Sequence, residues 1–288
     1  MPTMDTDFFE TRRRFLFGLA YRMLGTRADA EDAVQETFIK WCHADPASIE
    51  NPGAWLTSTC TNLCVDMLRS AHRTRVDYVG SWLPEPIHTV LDDTPESRLE
   101  LASSLTTAFL LMLERLTPKE RAAYLLYEIF DMPYADIAAT LGMQESACRK
   151  LVSRAREAVE AGKVRHVAPA ERQRQLLDAF RDAINGRGTG SLAAMLSDDI
   201  RFSSDGGGKA ITIRQDLMGK ASVLRFVERG LVRFWRDLEW IEADINGAKG
   251  VLLREDGRIV SAMTFAYAED GSVSNIYLMR NPDKLARL

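Results

Sequence analysis

Residues 132–159, MPYADIAATLGMQESACRKLVSRAREAV, constrain this chain more than any other stretch. They read as two short helices joined at Leu141-Gly142-Met143, where Gly142 can take the positive φ that ends the first helix. On the second helix Ala147, Leu151, Ala155 and Ala158 recur at helical spacing and predict one apolar stripe. Ser146, Arg149, Lys150 and Ser153 fall on the opposite face, with Arg154 and Arg156 beside them. A small-residue inner face under a cationic, hydroxyl-bearing outer face suits the DNA major groove. The competing reading is an αα-hairpin in a bundle with a solvated basic face.

Charge along the chain supports a local DNA surface. The formal net charge is −4, yet residues 149–165 carry six cations against two acids. Residues 77–100 reverse that balance, with six acids and one arginine. Phosphate neutralisation dominates DNA affinity, so an acidic body with one basic face is expected to need a partner. No apolar run reaches the roughly 18 residues of a membrane span, and no signal peptide is visible. A cytoplasmic protein that engages no membrane is expected. Cys42, Cys60, Cys64 and Cys148, with His43 and His72, match no zinc spacing and read as buried thiols.

Upstream, residues 7–41 predict two helices joined near Gly25-Thr26. Phe8, Phe15, Leu19 and Met23 are the expected core face of the first, and Ala33, Val34, Phe38 and Trp41 that of the second. Asp29, Asp32, Gln35 and Glu36 form an outer, mostly acidic face, either solvated or a docking face for a basic partner. A third helix, 54–73, buries Leu56, Cys60, Leu63, Cys64 and Met67. Its other side carries Ser58, Thr61, Asn62, Asp66, Arg69 and Arg73, and Trp55 lies at its start. Arginines for phosphates, an amide for base edges and an aromatic suit opened single-stranded DNA; a lone tryptophan near a helix start, as Trp55 is, is more often a core anchor.

The ordered series AEDAVQETFIKWC, AWLTSTCTNLCVDMLRSAHR, LTPKERAAYLLYEIFDMPYADIAATLG and SACRKLVSRARE resembles the bacterial extracytoplasmic-function sigma factors of the sigma-70 family. The resemblance implies sigma region 2 over 7–75 and sigma region 4 over 97–166. By it, the helix bearing Asp29, Asp32, Gln35 and Glu36 grips core RNA polymerase. The helix bearing Trp55, Asn62, Arg69 and Arg73 melts and reads the promoter −10 element. The helix-turn-helix, with Ser146, Arg149, Lys150, Ser153 and Arg154, reads the −35 element.

Between these regions, residues 76–96 carry Pro84, Pro86 and Pro95 and do not read as one helix. A tryptophan and leucine framed by prolines, Trp82-Leu83-Pro84-Glu85-Pro86, is expected to pack on another domain, against the alternative of an exposed elbow. A helix over 97–115 follows, with Leu101, Leu105, Phe109, Met112 and Leu113 inside. Thr117, Pro118 and Glu120 then form a capping box that starts the next helix.

After residue 169 the pattern changes to α+β. Helices at 171–184 and 192–196 precede an extended run at 200–203, Asp205-Gly206-Gly207-Gly208-Lys209, and alternation at Ile211-Thr212-Ile213. A helix at 222–228 and hairpin turns at Asn246-Gly247, Asp256-Gly257 and Asp270-Gly271 complete a curved antiparallel sheet with helices on one side. That order resembles the cone-shaped SnoaL-like fold over 170–288. WLPEP, DGGGK and NPDKL resemble the marks of a sigma-factor subgroup carrying such an extension. The resemblance implies that the extension regulates the sigma factor in cis, which assigns Trp82, Leu83, Pro84 and residues 205–209 to interdomain contact. The glycines allow close backbone approach to a ligand or a domain, and the loop lacks the spacing of a P-loop.

The fold class expected is therefore two all-α domains, the second with a helix-turn-helix, followed by an α+β SnoaL-like domain. The expected partners are core RNA polymerase, promoter DNA and the chain's own carboxy-terminal domain. No cofactor, metal or catalytic residue is assigned. The alternative is a ligand-binding or catalytic module of cyclase or isomerase type. No histidine lies beyond residue 169, so a general base there would have to be a carboxylate such as Asp205 or Asp216. Fold analogy leaves a small-molecule ligand open.

Overall fold

The computed structural model describes residues 6–75, 78–88, 103–161 and 168–288, without the side chains of 46 and 71–75. The chain forms two compact units. One takes Met1–Val76 and Met112–Gly162, the other Asp77–Leu111 and Lys163–Leu288. The described part of the expected linker, residues 78–88, thus groups with the carboxy-terminal unit, in line with the expected packing of its Trp82-Leu83 stretch on another domain.

In the first unit, α1 (Thr6–Leu24), α2 (Arg27–His43) and α3 (Pro52–Arg75) pack together. The α1 core face differs from the expected one: Phe9, Leu16, Leu19, Ala20 and Met23 are buried. Phe8 and Phe15 lie at its edges, beside Trp41 and Phe130. Successive helical positions are 100° apart, and two adjacent seven-residue repeats, Phe8/Phe15 and Phe9/Leu16, compete for one stripe. Thr61, expected on the outer side of α3, is buried, and its hydroxyl donates to the Thr57 carbonyl at 2.7 Å.

The chain continues through α4 (Thr107–Leu113), α5 (Pro118–Glu128), α6 (Tyr134–Leu141) and α7 (Glu145–Ala161). Residues 97–102 of the helix expected to begin at 97, Leu101 included, lie outside the described residues, and α4 itself starts at Thr107. The capping box forms as expected: the Thr117 side chain accepts from the Glu120 amide and Glu120 from the Thr117 amide. Gly142 ends α6 at φ 61°, in the left-handed region. The buried stripe of α7 is Cys148, Val152, Ala155 and Val159, one position round from the expected Ala147, Leu151 and Ala158. Cys148 and Val159 bury more apolar area than the alanines they displace, while Leu151 is left half-buried beside Val152.

Within this unit α5 is tied to α1. The Arg121 guanidinium, almost wholly buried, donates to the Met23 carbonyl at 2.6 Å and pairs with Glu114 at 2.8 Å. Arg22 lies over the Phe130 ring at 5.7 Å.

The second unit is built on a six-stranded sheet in the order β2-β1-β6-β5-β4-β3. Its strands are β1 (Leu196–Asp205), β2 (Leu217–Met218), β3 (Glu239–Ile245), β4 (Ala248–Glu255), β5 (Arg258–Tyr267) and β6 (Val273–Met279). The expected antiparallel sheet is mixed, because β1 pairs with β6 in parallel while the other pairs are antiparallel. The β3–β4 and β4–β5 turns carry positive φ at both central residues, Asn246-Gly247 and Asp256-Gly257, as tight hairpins require. The run Ile211-Thr212-Ile213 is a loop. The carbonyls of Ile211 and Ile213 accept from the side chains of Arg280 and Ser204 instead of a strand partner.

Each sheet face has its own core. On one, Leu176, Leu177 and Phe180 of α8 (Ala170–Ile184), Leu192 and Met195 of α9 (Gly190–Met195), Val223 of α10 (Lys220–Phe226) and Trp235 of α11 (Val232–Trp235) meet Val251, Leu253, Met263, Phe265 and Ile276. On the other, Leu83 and Ala108 cover Ile245, Leu252, Ala262, Tyr277 and Met279, with Leu285 of α12 (Pro282–Leu285). Leu83, from the segment that joins the two sigma-like regions, thus packs on the face that also carries α12.

Candidate nucleic-acid interface and linker clasp

On α7 the outer face stands as the sequence implies, with Ser146, Arg149, Lys150, Ser153 and Arg154 all exposed. Arg149 is the most constrained. Its Nε and Nη2 both donate to Glu145 Oε1, at 3.1 and 2.5 Å, and its guanidinium lies 4.4 Å from the centre of the Tyr134 ring. The Glu145 carboxylate raises its already high pKa further, so this cation is permanent.

On α3, Asn62 is exposed, and its Nδ2 donates to the Thr140 carbonyl on α6 at 3.1 Å. In this conformer the amide expected to meet a base is therefore held by the helix-turn-helix. Arg69 makes an exposed i,i+3 pair with Asp66 at 3.2 Å, a type of contact worth little to stability. Trp55 is half-buried, its ring 5.7 Å from that of Trp41. The Arg73 side chain lies outside the described residues.

On α2, Asp32, Gln35 and Glu36 are exposed. Asp29 is half-buried and belongs to the helix cap: Thr26 Oγ1 donates to its carboxylate at 2.6 Å and accepts from its amide at 3.2 Å. Ile39, one turn beyond Gln35, is 42% exposed.

In the second unit the linker residues and the glycine loop meet at one carboxylate. Asp205 ends β1 and is fully buried. Its Oδ1 accepts from the Tyr78 hydroxyl at 2.6 Å and the Gly207 amide at 3.0 Å. Its Oδ2 accepts from the Leu83 amide at 2.9 Å and Lys284 Nζ at 2.8 Å. Lys284 also donates to the Leu83 carbonyl at 2.6 Å and lies 4.5 Å from the centre of the Trp82 ring. Asn281 Nδ2 donates to the Tyr78 oxygen at 3.0 Å. Burial first, then the Asp205 hydrogen bond, pushes the Tyr78 phenol well above its ordinary range. A buried charge is tolerated when paired and hydrogen-bonded, and both carboxylate oxygens here are occupied twice.

The glycines earn their positions by space. A Cβ on Gly206 would lie 2.6 Å from the Ala210 carbonyl oxygen, and one on Gly207 would overlap the Asn281 carboxamide. Gly207 and Gly208 also have φ of 60° and 70°. Lys209, exposed, pairs with Asp283 at 2.5 Å, and Pro84 is buried beside Leu83. Asp216, the other candidate base, accepts from Ser81 Oγ at 2.8 Å. Sequence reasoning did not single out Lys284 or Tyr78 as clasp residues; a lysine in a short closing helix reads as surface.

A separate groove of about 590 Å³ lies at the α11 end, lined by Arg233, Phe234, Asp237, Glu239, Arg254 and Asp256 among others, and shares no residue with the clasp. Among the described residues no helix is long and apolar enough to cross a membrane. The cysteines are free; Cys60, Cys64 and Cys148 are buried and Cys42 is exposed.

Comparison with known proteins fits this geometry. Family models of sigma-70 region 2 and sigma-70 region 4 match residues 8–74 and 106–159. The chain is 35% identical to the ECF RNA polymerase sigma factor SigJ of Mycobacterium tuberculosis, over 98% of this chain and 93% of the relative. It is 27% identical to the probable ECF RNA polymerase sigma factor SigI of the same species, over 96% and 93%. The crystal structure of Mycobacterium tuberculosis SigJ superposes with a TM-score of 0.74 at 33% identity, covering 98% of each chain. The chain therefore belongs to the extracytoplasmic-function RNA polymerase sigma factors of the sigma-70 family.

Proposed function

We propose that this sigma factor binds core RNA polymerase through the exposed face of α2, reads the −10 element with α3 and the −35 element with α7, and is controlled in cis by its carboxy-terminal unit. The observation that carries the regulatory part is the buried Asp205–Lys284 pair, which holds both the amide and the carbonyl of Leu83. Leu83 lies in the segment that connects the two DNA-reading regions. A clasp at that point sets how much free chain separates them, and so how freely they can engage two promoter elements together. Loop-closure cost depends on the length of free chain, which makes clasp opening a control on promoter engagement.

The same bonds weaken the catalytic alternative. Asp205 and Asp216, two carboxylates that could serve as bases, both hold linker residues. A carboxylate saturated by four donors is poorly placed to abstract a proton.

Polymerase capture and run-off transcription with the full chain test these roles together. Asp32→Lys with Glu36→Lys should weaken capture by core polymerase; undiminished capture would remove the docking role of α2. Trp82→Ala should leave capture intact and change transcript yield without changing the ranking of promoter variants. A changed ranking would place the carboxy-terminal unit in sequence readout.

A further inference from the structure

Tyr134 opens α6, the first helix of the helix-turn-helix, and is not among the residues assigned to DNA. Its ring stacks on that of Tyr127, with centroids 4.2 Å apart and planes 20° from parallel. The two rings sit between two arginines: Arg149 over Tyr134 at 4.4 Å and Arg156 over Tyr127 at 5.8 Å. Each arginine also has a carboxylate, Glu145 for Arg149 and Glu128 for Arg156, both at 2.5 Å. A side-chain hydrogen bond shared with Tyr127 is the main cause that raises the Tyr134 phenol above its ordinary range.

The two arginines differ in what they face. Arg156 reaches back to Glu128 on α5, and that carboxylate is mostly covered. Arg149 stays on the exposed outer face of α7, its side chain 59% exposed. An unsupported exposed arginine samples many rotamers and pays for ordering when it meets a base. Here the guanidinium lies against the ring, 4.4 Å from its centre, and Glu145 takes the Nε–Nη2 edge. The Nη1–Nη2 edge is left pointing along the side chain, and two parallel N–H groups in one plane match the O6 and N7 acceptors of guanine.

We infer that Tyr134 is a positioning residue for promoter recognition: with Glu145 it holds the Arg149 guanidinium in the plane that reads one guanine of the −35 element. This rests on the reading of α7 as the −35 helix, and the experiment separates the two. Run-off transcription with core polymerase and the full chain is scored on templates carrying each single-base change in the −35 element. The chains compared are wild type, R149A, Y134A, Y134L and Y134F. Arg149→Ala should flatten discrimination at one base pair, by about 5- to 150-fold as for a bidentate guanine contact. Tyr134→Ala and Tyr134→Leu should flatten it at that same pair by a smaller factor, with other positions unchanged, and Tyr134→Phe should restore it.

Full discrimination in both Tyr134→Ala and Tyr134→Leu, with Arg149→Ala flat, overturns the role of Tyr134 and leaves α7 as the reader. An equal loss on every template marks Tyr134 as only structural and also overturns it. If Arg149→Ala flattens no position, Arg149 reads no base, and both the inference and that part of the α7 assignment fall.

Discussion

Replacing Lys284 by methionine keeps the aliphatic stem and removes the ammonium from the centre of the clasp. Three donors then remain on Asp205, from Tyr78, Leu83 and Gly207, but the buried carboxylate loses its only ion-pair partner among the described residues. The Leu83 carbonyl loses its lysine donor as well. Removing one partner of a buried pair costs about 3–5 kcal/mol, because the other charge stays buried without compensation. At 1.36 kcal/mol per tenfold, that is about a hundredfold or more in the local opening equilibrium. The assay is hydrogen exchange of the Leu83 amide, which donates to Asp205 and reports the clasp directly. Protection should fall by that factor in K284M while amides of α7 exchange as in wild type. The effects of K284M and Asp205→Asn should also sum to more than the effect of the double variant, since both break one network. Unchanged Leu83 protection in K284M would refute the claim that the ion pair holds the linker.

Two further outcomes follow from the same geometry. Gly207→Ala combines a positive φ with overlap on Asn281, so it should loosen the clasp by about 1–3 kcal/mol, read as faster Leu83 exchange; an unaffected variant would mean that the loop shifts freely. The Tyr78 phenol, of ordinary value 10.0, is raised in the folded chain. The clasp should therefore be fully stable below about pH 10 and weaken as pH rises above it, because the unfolded chain releases this proton first. Tyr78→Phe should remove part of that alkaline loss in denaturation curves. Tyr267, raised by burial, should account for another part.

Much of the fold was legible because local chemistry fixed it. Gly142 at positive φ, the Thr117–Glu120 box and the Asn-Gly and Asp-Gly hairpins each depend on residues within a few positions of one another. The α7 stripe was one position out, because small residues occupy both Ala147 and Cys148 and periodicity alone could not choose between them. The parallel pairing of β1 with β6 joins strands some seventy residues apart, beyond any turn signal. At the candidate site the outer faces of α2 and α7 were readable as exposed polar stripes. The partners of Asp205 were not: Tyr78 lies 127 residues away and Lys284 79 away. A lysine on a four-residue helix shows its burial only once the linker is laid over it.

By holding the chain between the two DNA-reading regions, the clasp should govern promoter engagement. Run-off transcription with core polymerase, comparing the wild-type chain with K284M across promoters of identical −10 and −35 sequence and graded spacer length, tests it most directly. The wild-type chain should show a narrow spacer optimum and K284M a broader one, with the preferred element sequences unchanged. Identical spacer profiles, in a variant whose Leu83 amide has lost its protection, would contradict it.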